Sequence, residues 1–561
     1  MNGAATALQS GGELLVAQLQ AYGVQRVFMV PGESFLPCID ALHARRDSIE
    51  TVICRQEGGA AYMAEAHGKL TGQPGICFVS RGPGAANAAI GVHTAREDST
   101  PMILFIGQVG SDTADRQCFQ EVDYRAMYAP LAKWVAQIER AERIPEYLAR
   151  AWAVATVGRP GPVVLALPDD MLGHATQAAL CAPPATPQAR PVPADMQRLR
   201  ELIESAERPL LLLGGSRWSQ AARASVRDFA LRFGLPVATA WRRLELFDND
   251  HPHFVGQVSA SMPTHQKKIV MESDLVVALG TRLCEPTTIN YQWLASPRPR
   301  QALVHIHPDA NEIGRLCVPE LGIVASLDGF AEAANGLAPT PGWCPRRPIA
   351  PAAPPGHELP PTPGPLDLNA AARHVARTLP ARSCVTVGAG NYALYAHRHI
   401  AFKGLGSQLS PAVGAMGYGL PAAIAAKLHD REAAVVCFAG DGCFQMTMQE
   451  LATAVQVRAG IVILIFNNGL YGTIRLHQER AYPGRAMGTE LVNPDFALLA
   501  RSYGAFGQAV RCSEEFEPAY DAATAFAQEH ALPAVLDLHY DADIILPDRT
   551  LSQIRSARSP A

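Results

Sequence analysis

The sequence lacks the features that mark several large classes of protein. No two of its twelve cysteines have CxxC spacing, which argues against a zinc site or a thioredoxin-like redox motif. Its 48 Lys and Arg residues do not outnumber its 52 Asp and Glu residues, so no basic excess could release counterions from a nucleic acid. The longest apolar runs, such as residues 460–466, are far shorter than the ~20 residues of a membrane-spanning helix. We expect neither a nucleic-acid partner nor a membrane partner.

An export signal is also lacking at the start of the sequence, where no basic segment precedes an apolar one. Cysteines that are scattered through a chain without paired spacing are typical of reduced thiols in a cytosolic protein. The expected localisation is therefore cytoplasmic.

The length of 561 residues predicts several domains, since a domain usually has roughly 100–200 residues. Two proline-rich segments, at residues 173–193 and 338–365, break the chain, because proline removes the backbone donors that helices and sheets need. We predict three domains and a linker, in chain order residues 1–173, 195–338, 339–365 (the proline-rich linker) and 366–546.

Short apolar runs alternate with helical stretches in all three segments. In the third, for example, residues 433–438 and 461–466 flank a helical stretch at 444–457. Continuously apolar strands that alternate with helices are typical of parallel sheets covered on both faces. The predicted fold class is α/β, with three doubly wound parallel-sheet domains in a row.

The third segment carries the strongest candidate site. Gly440-Asp441-Gly442 follows one apolar strand and Asn467-Asn468 ends the next, with 24 residues between the two motifs. In a βαβ unit both strands are parallel, so both motifs lie at the carboxyl edge of the sheet, where open α/β sheets bind ligands. The Asp441 carboxylate and the Asn468 amide offer the oxygen ligands that Mg²⁺ prefers, and the glycines let a diphosphate approach the backbone. We therefore predict a site for Mg²⁺ and a diphosphate.

This pattern, GDG followed some two dozen residues later by NN, resembles that of thiamine diphosphate enzymes. The likeness to the acetolactate synthase large-subunit type extends over nearly the whole chain. Residues 12–32 resemble the family's opening helix and first strand, and residues 80–87 resemble its GPG turn. Residues 118–121 resemble its FQE loop, and residues 410–423 the segment beneath the cofactor. The resemblance implies pyrimidine-binding, central and diphosphate-binding domains, with thiamine diphosphate and Mg²⁺ as cofactors.

The resemblance also implies roles for single residues. Glu57, between an apolar strand and a small-residue helix, would share a proton with the aminopyrimidine ring and so activate the cofactor. Asp441, Asn468 and the Leu470 carbonyl would hold Mg²⁺, and Met416 would keep the cofactor bent. The other residues expected to bind the cofactor are Gly390, Asn391, Tyr392, Gly414 (through its carbonyl), Gly440, Gly442, Cys443, Tyr471, Gly472 and Thr473.

Gln120 and His477 are the remaining candidates for catalysis, as groups that handle substrate protons. Each has a structural alternative, because Gln120 would otherwise belong to a surface loop and His477 to the surface of a helix. Taken alone, Glu57 would be a helix cap or a partner of the helix dipole. Thr473 would either cap the next helix or reach a phosphate.

Two departures from acetolactate synthases bear on the substrate. Thr473 and His477 stand where those enzymes usually place a Met and a Trp that face the second substrate, and residues 31–34 read PGES where PGG is more frequent. The resemblance implies a carboligase: a 2-keto acid loses CO₂ and the enamine adds to a carbonyl acceptor. The alternative is a decarboxylase or lyase of the benzoylformate decarboxylase, benzaldehyde lyase or 2-hydroxyacyl-CoA lyase type. The substrate would be a 2-keto acid or a 2-hydroxyacyl compound.

Glu57 and Asp441 come from different domains, and in the family such residues meet across a dimer interface. The resemblance therefore implies a homodimer or homotetramer with shared active sites. The central segment, with a Gly-Gly pair at residues 214–215 after a strand, would bind FAD, ADP or no ligand. A protein that binds the cofactor without turnover is a further hypothesis, against which the presence of Glu57 argues.

Overall fold

The computed structural model describes residues 8–346 and 359–556 and contains three six-stranded parallel sheets. Residues 347–358, which form part of the predicted linker, lie outside the described residues. Each sheet falls within one of the three predicted domain ranges, and the domain boundaries themselves stay a prediction. No helix in the part of the chain that the structure describes is long and apolar enough to cross a membrane.

The first sheet lies in the N-terminal third of the chain. The strands there are β1 (Gln9–Ser10), β2 (Arg26–Met29), β3 (Glu50–Ile53), β4 (Gly75–Val79), β5 (Met102–Gln108), β6 (Trp134–Gln137), β7 (Pro162–Pro168) and β8 (Ala175–Thr176). The helices are α1 (Gly11–Ala21), α2 (Leu36–Ala44), α3 (Glu57–Thr71), α4 (Pro83–Asp98), α5 (Tyr124–Tyr128), α6 (Ile144–Thr156) and α7 (Asp169–Gly173). The parallel order is β3-β2-β4-β5-β7-β6, and β1 pairs with β8 in an antiparallel ribbon.

The second sheet lies in the middle of the chain. Its strands are β9 (Pro209–Leu213), β10 (Val237–Thr239), β11 (Phe254–Gln257), β12 (Leu275–Leu279), β13 (Ala302–His307) and β14 (Leu321–Val324). The helices are α8 (Pro193–Ser205), α9 (Gln220–Arg232), α10 (Thr264–Glu272) and α11 (Leu327–Asn335). The order is β11-β10-β9-β12-β13-β14, which puts the switch in winding direction between β9 and β12.

The third sheet has the order β16-β15-β17-β18-β20-β19. The strands of this part are β15 (Ser383–Val387), β16 (Gln408–Leu409), β17 (Ala434–Gly440), β18 (Val462–Asn467), β19 (Phe506–Val510), β20 (Ala534–His539), β21 (Ile544–Leu546) and β22 (Arg549–Thr550). The helices are α12 (Leu368–Thr378), α13 (Ala393–His399), α14 (Gly419–His429), α15 (Asp441–Phe444), α16 (Glu450–Gln456), α17 (Gly472–Ala481), α18 (Phe496–Ser502), α19 (Ser513–His530) and α20 (Leu551–Ser556).

The strands are apolar without interruption because both faces of each sheet are covered. In β4, Ile76 and Phe78 pack into one hydrophobic core, whereas Cys77 and Val79 pack into another on the opposite face. Neighbouring residues of a strand point to opposite faces, so neither set can be polar. The predicted fold class, α/β with three doubly wound parallel-sheet domains, is confirmed.

Helix α3 joins the N-terminal and C-terminal domains, because small residues let it approach its neighbours closely. A methyl group added at Gly91 of α4 would lie 2.3 Å from the Cβ of Ala61 in α3. On the other side, the rings of Tyr62 and Tyr418 meet edge to face at 5.5 Å, next to α14. Residues of α3, α4 and α14 thus share one core.

The predicted helix at 444–457 is interrupted in the structure. Helix α15 ends at Phe444, α16 begins at Glu450, and the residues between them form turns closed by tight i+3 hydrogen bonds. In this stretch the hydroxyl of Thr447 donates to the carbonyl of Gly417, 2.7 Å away. A contact outside the helix therefore fixes these turns, and periodicity does not reveal it.

The contact between α3 and α4 leads to a first prediction. We expect Gly91→Ala to destabilise the protein by about 1–3 kcal/mol, because the added methyl must push the two helices apart. Urea unfolding would measure this as a lower midpoint. Gly173→Ala adds the same methyl at the end of α7, where no atom lies within 4 Å, and should leave the midpoint unchanged. Equal losses in the two variants would contradict the close packing.

Candidate active site

A cavity of about 220 Å³ lies at the carboxyl edge of the third sheet, beside the ends of β17 and β18. All the predicted cofactor-binding residues except Glu57 line it. Seven further residues, which were not predicted, complete its wall: Ala389, Tyr395, Phe466, Ile474, Tyr540, Ile544 and Ile545. The structure therefore brings together nearly all of the residues that the sequence suggested for this domain.

Asp441 is a buried carboxylate whose orientation is fixed by three donors. Its Oδ1 accepts a hydrogen bond from the N–H of Gly442 at 2.8 Å. Its Oδ2 accepts from the N–H of Gly469 and from Nδ2 of Asn493, both at 2.8 Å. Burial, together with the nearby charge of Asp537, raises the pKa of Asp441, while the three donors oppose that rise. A desolvated, oriented carboxylate of this kind is suited to a divalent cation.

The two asparagines at the end of β18 have different surroundings. Asn467 is buried, and its Nδ2 donates to Oδ1 of Asp537 at 2.9 Å. Asn468 lines the cavity, and its Oδ1 accepts from the N–H of Leu470 at 3.2 Å. The Leu470 carbonyl accepts from the N–H of Gly472 at 2.8 Å, which leaves one of its two lone pairs for another partner. All three residues predicted to hold the metal thus line one cavity.

Asn493 was missed by the sequence analysis. Its Nδ2 donates both to Asp441 and to Oδ1 of Asn467, each at 2.8 Å, and its Oδ1 accepts from Nε2 of Gln445 at 2.8 Å. It thereby ties the two sequence motifs together. An asparagine in a loop carries no signal that could have identified it.

The wall of the cavity also offers unpaired donors to an anion. Oδ1 of Asn391 accepts from the Thr473 hydroxyl at 3.0 Å, whereas its buried Nδ2 has no partner among the described residues. Helix α17 begins at Gly472, and no side chain caps its first turn. Thr473 therefore does not cap this helix, and an anion beside Asn391 would meet an amide donor and the positive end of α17.

The glycines beside Asp441 are required by aromatic rings. A methyl group at Gly440 would lie 2.7 Å from the ring of Tyr392, and one at Gly442 would lie 2.4 Å from the ring of Tyr471. The hydroxyl of Tyr392 also donates to the sulfur of Cys443 at 3.0 Å. These glycines were expected to let a diphosphate approach the backbone, whereas the space that a side chain would need is filled by the protein itself.

Gly414 and Met416 also line the cavity. Gly414 has a left-handed backbone with φ of 77°, and the space around it is open. The carbonyl of Met416 accepts a hydrogen bond from the hydroxyl of Tyr62 in α3 at 3.0 Å. The N-terminal domain therefore touches the rim of the C-terminal cavity.

Two candidate catalytic residues flank one turn of the N-terminal domain. Glu57 begins α3, and its Oε2 accepts from Nδ2 of Asn87 at 2.9 Å. Its Oε1 lies 3.3 Å from the place that a methyl group on Gly84 would take. The Cβ of Gln120 lies 2.8 Å from the equivalent place at Gly82. Glu57 and Gln120 thus border the turn at Gly82–Gly84 from two sides.

Glu57 is not the cap of α3. That position belongs to Gln56, whose Oε1 accepts from the N–H of Gly59 at 3.1 Å. Glu57 is half-buried, and its only side-chain hydrogen bond in the described part of the chain comes from Asn87. Glu57 therefore does not cap α3, whereas its place in the first turn fits the other structural alternative, a partner of the helix dipole.

Glu450 is a second residue that the sequence analysis missed. It is fully buried in the C-terminal domain, and its carboxylate accepts from the N–H of Arg55 at 3.1 Å and of Gln56 at 3.0 Å. The Thr453 hydroxyl donates to it as well, at 2.6 Å, and burial raises its pKa. Glu450 therefore fixes the peptide that leads into Glu57. A single acidic residue in an otherwise uncharged helix was the available signal.

Within one chain the two groups of residues stay apart. The described residues that line the cavity all lie between 389 and 545, so they include neither Glu57 nor Gln120. His477 is exposed on α17 and does not line the cavity either. Large apolar side chains are exposed beside both groups, with Phe119 at 73% and Ile474 at 54%. Each half of the site thus has an uncovered apolar rim.

The chain is similar to proteins of known family along most of its length. Residues 9–127 match the thiamine pyrophosphate enzyme N-terminal TPP binding domain, residues 196–334 the central domain, and residues 388–538 the C-terminal TPP binding domain. The acetolactate synthase large subunit of Haemophilus influenzae is 30% identical over 532 residues, 91% of each chain. The isozyme 2 large subunit of Escherichia coli is 28% identical, over 91% of this chain and 93% of its own.

The contact between Glu450 and the backbone before Glu57 can be tested directly. We expect Glu450→Gln to loosen this segment, because the amide removes the negative charge that strengthens both hydrogen bonds to Oε1 and puts an NH₂ group at Oε2, 3.3 Å from the N–H of Arg55. Hydrogen exchange in peptides that contain residues 55–59 should be about tenfold faster or more. Glu142→Gln, which changes an exposed residue of the same domain as Glu57, should leave this exchange unchanged. Unchanged exchange in Glu450→Gln would contradict the contact.

Proposed function

Because the chain belongs to the thiamine pyrophosphate enzyme family, we propose that it is a carboligase dependent on thiamine diphosphate and Mg²⁺. It removes CO₂ from a 2-keto acid and joins the remaining fragment to a carbonyl acceptor, as the name of its acetolactate synthase relatives implies. The observation that carries the proposal is the cavity of the third sheet, which is lined both by the residues predicted to hold the metal and by Asn391 with its unpaired amide donor.

The residues present fit this cofactor. Asp441, Asn468 and the Leu470 carbonyl would hold Mg²⁺. The free Nδ2 of Asn391 and the first turn of α17 would hold the diphosphate. When bound, thiamine diphosphate would supply a nucleophilic carbon for the keto carbonyl and a sink for the electrons left by CO₂.

The chain's own residues then orient groups and move protons. Oε2 of Glu57 is held by Asn87, so Oε1 is the atom left free to exchange a proton with the cofactor. Gln120, whose Cβ lies against the same turn, would donate its amide to a substrate oxygen. His477 is exposed in the single chain. It could therefore transfer a proton to the carbonyl acceptor only if assembly with another chain brought it to the site.

A second copy of the chain would complete the site. The cavity of about 220 Å³ is smaller than the ~300–1,000 Å³ of ordinary ligand pockets, which suits one half of a shared site. Glu57 lies outside it, and both halves have exposed apolar rims. We infer a homodimer or homotetramer in which Glu57 of one chain faces Asp441 of another. Covering the apolar rims would stabilise that assembly.

The proposed reaction needs no FAD as an oxidant, because decarboxylation followed by addition to a carbonyl involves no net oxidation, so FAD in the central domain would have a structural role. If FAD or ADP were bound, its place would be the switch point between β9 and β12. There Gly215 already packs closely against the next loop, since a methyl group on it would lie 2.3 Å from the Gly280 carbonyl. If the purified protein showed a flavin absorption spectrum, FAD would join thiamine diphosphate and Mg²⁺ among its cofactors.

The activity is tested with a panel of 2-keto acids in the presence of thiamine diphosphate and Mg²⁺. We expect CO₂ release together with a ligated product, whereas release of a free aldehyde alone would favour the decarboxylase or lyase alternative. Glu57→Gln should reduce CO₂ release by about 10²–10⁴-fold, because the amide cannot exchange the proton. Glu146→Gln, an exposed change in the same domain, is the control. Equal activity in wild type and Glu57→Gln would contradict the assignment of Glu57.

Cofactor uptake is tested separately from turnover. Asp441→Asn keeps the size of the side chain but removes the charge, so we expect Mg²⁺-dependent binding of thiamine diphosphate to weaken by about 10–100-fold. Titration calorimetry measures this without substrate. Asp495→Asn, a helix-capping change in the same domain, should have no effect on binding. Uptake that is equally tight in Asp441→Asn would contradict the metal site.

A further inference from the structure

We propose that Asp98, Lys69 and Arg242 are positioning residues that hold the backbone of residues 410–413 and thereby set Gly414 and Met416 for the cofactor. The proposal rests on the proposed function, since it concerns how the cavity receives thiamine diphosphate. It gives the N-terminal and central domains of the same chain a part in shaping the C-terminal half-site.

Asp98 accepts hydrogen bonds from two consecutive backbone N–H groups of the C-terminal domain. It is the last residue of α4, and it is buried. Its Oδ2 accepts from the N–H of Ala412 at 2.8 Å, and its Oδ1 accepts from the N–H of Val413 at 3.0 Å. Gly414, whose carbonyl is expected to meet the cofactor, is the next residue. Both oxygens of one carboxylate thus fix the chain just before the cavity.

Lys69 balances this charge and adds a third contact. Its Nζ lies 2.7 Å from Oδ2 of Asp98 and 3.0 Å from Oε1 of Glu65, and it donates to the Ser410 carbonyl at 3.2 Å. The side chains of Lys69, Glu65 and Asp98 are all at least nine-tenths buried. An ion cluster sealed from water holds its geometry rigidly, because every member would be left uncompensated if it moved.

Arg242 reaches the same segment from the central domain. Its Nη1 donates to the Pro411 carbonyl at 2.7 Å and to the Gly388 carbonyl at 3.0 Å. Gly388 precedes residues 389–392, which line the cavity. Arg242 is only 4% exposed, its Nε has no partner in the described part of the chain, and its φ is 61°. Burying a cation on a strained backbone costs free energy. The two contacts of Arg242 join the segment before Gly414 to the segment before residues 389–392.

Backbone groups of four consecutive residues, 410–413, are therefore held by side chains of two other domains. This segment follows the short strand β16 and has no strand partner of its own. Without these contacts Gly414 and Met416 would keep their chemistry but lose their fixed position. The free-energy cost of ordering them would then lower the affinity for the cofactor.

Asp98 and Arg242 contact different parts of the C-terminal domain, and this difference provides the test. Asp98 holds only the segment before Gly414 and Met416, whereas Arg242 also holds Gly388 beside the predicted diphosphate site. Calorimetric titration of the full-length protein uses thiamine diphosphate and inorganic pyrophosphate, both with Mg²⁺. Comparing the two affinities separates an effect on Gly414 and Met416 from an effect on the predicted diphosphate site. Glu312→Gln is the control, because it weakens a buried pair between the N-terminal and central domains, Arg159–Glu312 at 3.0 Å, and neither partner hydrogen-bonds to residues 410–413.

We expect Asp98→Asn to weaken binding of thiamine diphosphate about tenfold or more, since the amide can accept only one of the two N–H groups, and to leave pyrophosphate binding unchanged. Arg242→Met should weaken both. Glu312→Gln should lower the melting temperature and leave both affinities unchanged. Should Asp98→Asn fail to fold, Asp98→Glu keeps the charge and shifts the acceptors, and it should weaken thiamine diphosphate binding alone.

Thiamine diphosphate binding that stays at the wild-type level in the foldable Asp98 variant would overturn the proposal. So would an equal loss in Glu312→Gln, because the effect would then be general destabilisation. If the wild-type protein bound pyrophosphate but not thiamine diphosphate, the proposed function would fall, and this inference with it. Loss in Asp98→Asn with a normal wild type and control supports it.

Discussion

The structure depends on a carboxylate that is held in place before any cation arrives. Asp441 is buried at the end of a parallel strand, and three N–H donors fix both of its oxygens. Such a group is expensive to desolvate and becomes favourable only when a positive charge joins it. The sheet supplies the place, the glycines let two tyrosine rings close around it, and Asn493 links it to the neighbouring strand.

A second principle recurs where the domains meet. Glu450 holds the backbone before Glu57, and Asp98 and Arg242 hold the backbone before Gly414. In each case a buried charged side chain of one domain binds main-chain groups of another. Main-chain groups are present whatever the side chain, so these contacts fix the path of a loop without restricting the side chains that face a ligand. The domains therefore act on each other's functional loops rather than merely packing together.

The sequence predicted the parts of the fold that depend on local patterns. Strands β17 and β18 overlap the apolar runs 433–438 and 461–466, and the two motifs lie at the ends of these strands, because buried parallel strands must be apolar and their carboxyl ends share one edge. The contacts of Glu450 and Asp98 were beyond prediction, since each joins residues more than 300 positions apart. Their partners are backbone groups, which leave no trace in the identity of the residue.

The aromatic rings that pack on Gly440 and Gly442 have an evolutionary consequence. A side chain at either glycine would collide with Tyr392 or Tyr471, so a single change there is blocked by a neighbour and not only by a ligand. Substitution becomes acceptable only after the ring has become smaller. Among homologues, positions 440 and 392, and likewise 442 and 471, should therefore covary, and a departure from the GDG pattern should be accompanied by loss of the matching tyrosine.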